Sequence, residues 1–287
     1  MSETVEQDAP VNEWAGDMGR NWLANLARYE GMILPFGAAL INHAGFRPGE
    51  NVLDLGCGGG PTTITIARCV SPGGSATGMD ISQELIDNAG VRASMGTQSR
   101  IYWVCADAAT VIPTNAPFDR IVSRFGSMFF DDPCAAFRNL RRMIKPGGRM
   151  DLAVWALPSE NEWTRVINGI AAKHLPDAPK PDPRAPGPFA FGDTAYLTGI
   201  LEQADFGRIA IAPFEARIAV GGAGATPEEA AAFVVENTHM GRQLKSVGED
   251  KLASAIADLA EAFTPYHVPG KGTLLGARIW LVTAWAI

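Results

Sequence analysis

Residues 52–61, VLDLGCGGGP, set Asp54 and the glycines Gly56, Gly58, Gly59 and Gly60 between a short apolar run and a segment opened by Pro61 and Thr62. Glycine lets a backbone bend sharply and approach a ligand, and a helix that starts behind such a bend points its first N–H groups outward. Two more acids recur in the same setting: Asp80 in GMDIS, twenty-four residues beyond Gly56, and Asp107 in CADA. The candidate ligands are a dinucleotide, a nucleoside triphosphate or an adenosyl group. A triphosphate loop needs Gly-Lys-Ser/Thr, whereas this one ends Gly-Gly-Pro-Thr. The nicotinamide pattern needs glycine or alanine at its sixth place, where Pro61 stands, and Asp54 would repel a pyrophosphate. From Asp80 a carboxylate can accept both hydroxyls of a ribose, and from Asp107 one can accept an adenine amino group. Three acids behind successive apolar runs describe an adenosine whose other end carries no phosphate.

The elements that would position these groups alternate. NVLDL, SATGM, RIYWVC, FDRIVSRF and RMDLAVWA read as strands, with helices over 61–70, 82–94 and 132–143 between them. Strands separated by helices imply right-handed crossovers and a parallel, doubly wound α/β sheet. SPGG at 71–74 and KPGG at 145–148 end two of the helices. Residues 12–45 fit two helices that would cap the sheet. The stretch 175–193 holds six prolines and must be an extended loop, a lid or a linker. Beyond it we expect a helix at 194–204, a strand RIAIAPFEARIAV, helices over 227–241 and 249–263, and a last strand GARIWLVTAWAI; the two strands would form an edge hairpin carrying a helical insertion.

Over roughly residues 45–157 the ordered set VLDLGCGGG, GMDIS, ADA, FDRIVSRFG and LRRMIKPGGRM resembles class I S-adenosylmethionine-dependent methyltransferases, in the small-molecule branch of the ubiquinone- and menaquinone-biosynthesis type. The resemblance implies a Rossmann-like, seven-stranded, mostly parallel sheet with an antiparallel last strand. It divides the chain into an N-terminal helical cap (1–45), a donor-binding core (46–157) and an acceptor-side lid, helical insertion and closing strands of the same domain (158–287). It implies S-adenosylmethionine as cofactor, with S-adenosylhomocysteine as product. The donor would be held by Asp54, Gly56, Cys57, Gly58, Thr62, Asp80, Ile81, Asp107 and Ala108, with Ser123, Arg124 and Phe125 beneath the sulfonium. Phe129, Trp163, Phe189 and His239 would line the acceptor site, His239 being the one candidate catalytic residue.

Simpler roles compete. Asp54 could cap its loop, Asp107 could cap a helix, Asp119 reads as structural and Trp155 as core. His43, His174 and His267 read as surface or satisfied groups. Asp131-Asp132 reads as a helix cap rather than a metal site, and no metal is expected. A net charge of -7 argues against nucleic acid; the basic residues Arg138, Arg141, Arg142, Lys145 and Arg149 read as one solvated helix face and its positive end. Cys57, Cys69, Cys105 and Cys134 show no zinc or disulfide spacing. The start MSETVEQDAP lacks a signal-peptide pattern and no apolar run is long enough for a membrane span, so a cytoplasmic protein is expected, with room for a homodimer. The expected reaction is in-line methyl transfer to a small aromatic or apolar molecule, on oxygen before nitrogen, sulfur or carbon. The alternatives are a donor-binding protein with another reaction, such as one at a halide, or with no turnover.

Overall fold

A computed structural model describes residues 13–95, 99–176, 182–245 and 248–287, leaving the side chains of His239, Met240 and Arg242 aside. The segment MSETVEQDAP and part of the proline-rich stretch, 177–181, therefore lie outside the described residues.

Two helices come first, α1 (Asp17–Ala24) and α2 (Leu26–Ala44). The alternating region follows: β1 (Asn51–Leu55), α3 (Pro61–Cys69), β2 (Ser75–Asp80), α4 (Gln83–Ser94), β3 (Ile101–Cys105), β4 (Phe118–Arg124), α5 (Pro133–Met143) and β5 (Ile144–Trp155). The second half supplies α6 (Glu162–His174), α7 (Thr194–Gln203), β6 (Phe206–Val220), α8 (Pro227–Asn237), α9 (His239–Lys245), α10 (Glu249–Phe263), β7 (His267–Val268) and β8 (Gly272–Ala286).

The main sheet runs β3-β2-β1-β4-β5-β8-β6, and the two-residue β7 adds an eighth strand against β8. β1 to β5 are mutually parallel, and β8 is antiparallel to both β5 and β6. The strand order reverses at β1 and β4, so the carboxyl ends of these two strands open the crevice where doubly wound sheets bind ligands. The central strands β1 and β4 are buried nearly throughout, as continuous apolar runs require, whereas the edge strand β3 exposes Tyr102 and Cys105. Helix starts carry their own caps: the Ser82 hydroxyl accepts from Leu85 N, Asp132 from Ala135 N, and Thr226 and Glu229 form a reciprocal box.

Three expectations need correction. β5 begins at Ile144, so KPGG is carried in the strand's first residues rather than between helix and strand. The helix expected over 227–241 breaks at Thr238, whose backbone is extended. There the side chains of Asn237 and Thr238 bond back to Phe233 O and Val234 O, competing with the helix ladder. The basic cluster is not one solvated face. Arg138 and Arg141 donate to Gln203 O and Asp205 O, Lys145 pairs with Asp119 at 2.6 Å, and Arg149 lies inside the fold.

Arg149 belongs to the network that seats α2. Fully buried Asp151 accepts from Arg149 at 2.6 Å, Arg120 at 2.7 Å and the Thr283 hydroxyl at 2.8 Å. The same guanidiniums donate to His43 O and Ala44 O. A buried carboxylate is tolerated only with such satisfaction, and here the satisfaction anchors the C-terminal end of α2 to β4, β5 and β8. The rest of α2 is then held over the strand tips.

Candidate functional site

The glycine turn is closed from within. Gly56 N and Cys57 N both donate to Met79 O, at 2.8 and 3.2 Å, and Gly58 N donates to the Asp80 carboxylate at 2.9 Å. Gly60, with φ +79°, caps α3 ahead of Pro61. Gly56, with φ +64°, touches the neighbouring strand tip: a Cβ there would stand 2.7 Å from Gly126 Cα. This mutual glycine contact brings the carboxyl ends of β1 and β4 together. The turn's first amides are thus committed, and what it offers a ligand is close backbone and negative charge, a poor setting for phosphate.

The acids divide the work differently from the simplest sequence reading. Asp54 is 1 % exposed and accepts the Thr63 hydroxyl at 2.6 Å. Burial pushes its carboxyl up to about 6, against the opposing pull of Thr63 and Arg124. Capping the loop falls to Asp80: one oxygen takes Gly58 N and the other takes Ser82 N at 3.0 Å. Burial raises the Asp80 carboxyl too, opposed by these backbone donors. Each Asp80 oxygen keeps a second lone pair. Asp107, partly exposed, accepts Ala109 N at 2.8 Å in a tight turn that no helix follows, so it is not a helix cap. Ala108 beside it is buried, and Asn139 donates to its carbonyl at 3.0 Å.

Around these groups, Ile81 is half-exposed and Thr62 is buried at the first turn of α3. The Cys57 thiol packs against Gly78, and burial together with Asp80 and Asp54 pushes its pKa well up, leaving it an inert thiol.

At the tip of β4, Ser123 is 0 % exposed; its hydroxyl donates to Leu55 O at 2.9 Å and accepts from Ser127 N at 3.1 Å. Ser123, expected beneath a ligand's sulfur, staples β4 to β1. Arg124 runs under α2, where glycine leaves room: a Cβ on Gly37 would come 3.0 Å from its Nη1. Phe125 has φ +65°, a left-handed backbone that costs a non-glycine residue about 1–3 kcal/mol. It is held there by Phe125 N donating to Ala153 O at 3.0 Å and by stacking on Trp155 at 4.6 Å.

The expected acceptor residues fall into two places. Trp163 and Phe189 are neighbours at 6.0 Å, next to Trp155, Phe125 and Phe36. Trp155, 8 % exposed, is core. Phe129 lies apart, edge-on to Trp14 at 5.0 Å. His239 opens α9, and its side chain falls outside the described residues. His43 bonds Thr283 at 2.7 Å and His174 bonds Asp258 at 2.9 Å, both in structural positions.

Several partners have no sequence motif to announce them. Thr63 is such a residue, and so is the clasp in which Arg92 bonds Glu30 at 2.6 Å and Gly59 O at 3.0 Å, tying α2 and α4 over the turn. Trp22 lies over Gly58, stacks on Tyr29 at 4.0 Å, and Asn21 beside it bonds Asn237 of α8 at 2.9 Å. The N-terminal helices and the insertion therefore meet above the strand tips. Only an acid nine residues before a helical threonine could have hinted at Thr63, whereas Gly126 closes the FDRIVSRFG motif.

Residues 52–148 match the family described as a methyltransferase domain. An uncharacterised protein of Mycobacterium tuberculosis is 29% identical over 172 residues, 60% of this chain and 59% of that one. The ubiquinone/menaquinone biosynthesis C-methyltransferase UbiE of Shewanella woodyi is 29% identical over 183 residues, 61% of this chain and 71% of that one. The chain thus spans about 59% of the length of the first curated relatives it matches. In fold it is similar to a phosphoethanolamine N-methyltransferase of Haemonchus contortus solved with S-adenosyl-L-methionine, at TM-score 0.57 and 15% identity over 98% of this chain and 60% of that one. The resemblance to class I, UbiE-type methyltransferases therefore extends from the motifs to the sheet.

Proposed function

We propose that this chain transfers the methyl group of S-adenosylmethionine to a small aromatic or apolar acceptor, on oxygen, by in-line displacement that relies on positioning rather than on a metal. The observation that carries the reading is the crevice at β1 and β4. The amides of Gly56, Gly58 and Gly60 are spent inside the fold while two carboxylates, Asp54 and Asp80, flank the turn. Such a site disfavours phosphate and suits a nucleoside with a cationic sulfur. The donor named for the Haemonchus structure and the methyltransferase domain match support the same reading.

In this reading the free lone pairs of Asp80 take the ribose hydroxyls, Ile81 covers the adenine, and Asp107 with Ala108 borders its edge. Gly56, Cys57 and Gly58 border the amino-acid end with their backbone, next to Thr62. The sulfonium, when bound, supplies an activated methyl group. The protein's part is alignment and exclusion of water: α2, Trp14 and Trp22 roof the crevice, and Phe125 is locked against Trp155 at the point where acceptor meets donor. Trp163, Phe189, Phe129 and His239 shape the acceptor side. Residues 1–45 act as cap, 46–157 as donor-binding core, and 158–287 as lid and closing strands.

A carbon acceptor is the second reading, favoured by the C-methyltransferase name of the Shewanella relative. Incubation with donor carrying a 13C methyl and a panel of phenols, quinols, amines and thiols separates the two by the carbon shift of the product. O-methyl product supports the first reading and ring C-methyl product the second. Donor binding without transfer to any of them contradicts both.

A further inference from the structure

The two edges of the main sheet are built differently. At one end β6 exposes Arg208, Pro213, Glu215 and Arg217, charges and a proline that keep an edge strand from pairing with another chain. At the other end β3 reads IYWVC and holds neither a charge nor a proline. Ala76 N donates to Arg100 O and Ala106 N donates to Asp80 O, so the even-numbered positions along β3 turn their backbone groups to β2. In a parallel pair the residues between them turn theirs the other way. The N–H and C=O groups of Ile101, Trp103 and Cys105 therefore line the open edge of the sheet.

The surroundings of that edge are apolar. Among the described residues, the large apolar side chains left exposed are Val91 and Met95 in and just behind α4, Tyr102 on β3, and Val111 and Ile112 in the segment after it, with Leu34 and Ile287 elsewhere. α4 itself packs against β3. Exposed apolar side chains gathered around an unguarded strand mark an interaction surface.

The occupant this edge fits is a second copy of the chain. A two-fold axis through Trp103, normal to the sheet, lays two β3 strands antiparallel. It pairs Trp103 with Trp103, Ile101 with Cys105 and Tyr102 with Val104. The outward-facing residues then meet only one another, each pair exchanging two N–H···O bonds. Tyr102 and Val104 make an aromatic pair with a β-branched residue across the strands. Exposed Arg100 comes opposite Ala106 and next to Asp107, so opposite charges meet at both ends of the paired strands. A stable dimer buries about 1,200 Å² or more; five paired residues alone fall short of that, and the apolar residues on either side of β3 widen the contact.

We infer that β3 is the contact of a two-fold symmetric homodimer, in which the sheets of two copies join through antiparallel β3 strands into one continuous sheet. The inference does not depend on the donor reading above.

The test is sedimentation velocity of the full chain over a range of micromolar concentrations, for the wild type and for Tyr102→Lys, Arg100→Glu and Arg208→Glu, with melting curves to confirm that the variants fold. The wild type is expected to sediment with twice the chain mass of 30.5 kDa. Tyr102→Lys, which charges the edge, and Arg100→Glu, which sets like charges together at its ends, should each weaken the dimer by about tenfold or more. Arg208→Glu, on the guarded edge, should leave it intact. A wild type that stays monomeric throughout overturns the inference. So does a dimer that neither Tyr102→Lys nor Arg100→Glu weakens, since the copies then meet on another face.

Discussion

Asp54 and Asp80 show how identical side chains at the tips of adjacent strands acquire different duties. Asp80 is half-open and keeps lone pairs for a ligand; Asp80→Ala is expected to weaken S-adenosylhomocysteine binding at least tenfold, roughly 1.4 kcal/mol. Unchanged affinity in a calorimetric titration would contradict the ribose role. Asp54 is sealed, and its carboxyl titrates near 6 instead of near 4. A raised carboxyl pKa means that the folded chain holds the proton more tightly than the unfolded one. Its ionisation therefore costs nothing below pH 4 and about 3 kcal/mol above pH 6. Asp54→Asn should accordingly gain on the wild type in thermal unfolding as the pH rises from 4 to 7. Parallel pH curves for the two proteins would contradict this. The spacing of the acids was legible in the sequence, but which was sealed was not, because Thr63 carries no motif and burial depends on α2 folding over the strand tips.

Among the elements, the contact between β1 and β4 fixes the crevice. A methyl on Gly126 would come 2.7 Å from Gly56 Cα and 2.7 Å from Leu55 O, both backbone atoms that cannot yield. Gly126→Ala should destabilise the chain by about 1–3 kcal/mol and impair ligand binding with it. Gly31→Ala, on the open face of α2 with nothing within 4 Å, should instead stabilise by up to about 1 kcal/mol. Melting curves of both variants check the pair, and a harmless Gly126→Ala would show that the strand tips are not in contact. The core elements were legible because apolar runs, glycine bends and caps agree there. The break at Thr238 was not, since it arises from side chains bonding back to the helix, which the apolar period does not register.

At the scale of the molecule, local signals give way to long-range ones. The edge hairpin of β6 and β8 with its helical insertion followed from two apolar runs split by helices. The clasp of Arg92 with Glu30, the seam of Asn21 with Asn237 and the Asp151 network join residues far apart in sequence, so no spacing could announce them. Together they set two N-terminal helices and the insertion as a roof over the crevice. In the proposed function that roof keeps water from a site built on positioning, and the proposal rests on one property, affinity for an adenosyl thioether. Isothermal titration of the purified wild-type chain with S-adenosylhomocysteine tests it most directly. The account predicts saturable binding at one site per chain, and a flat titration from folded protein would contradict it.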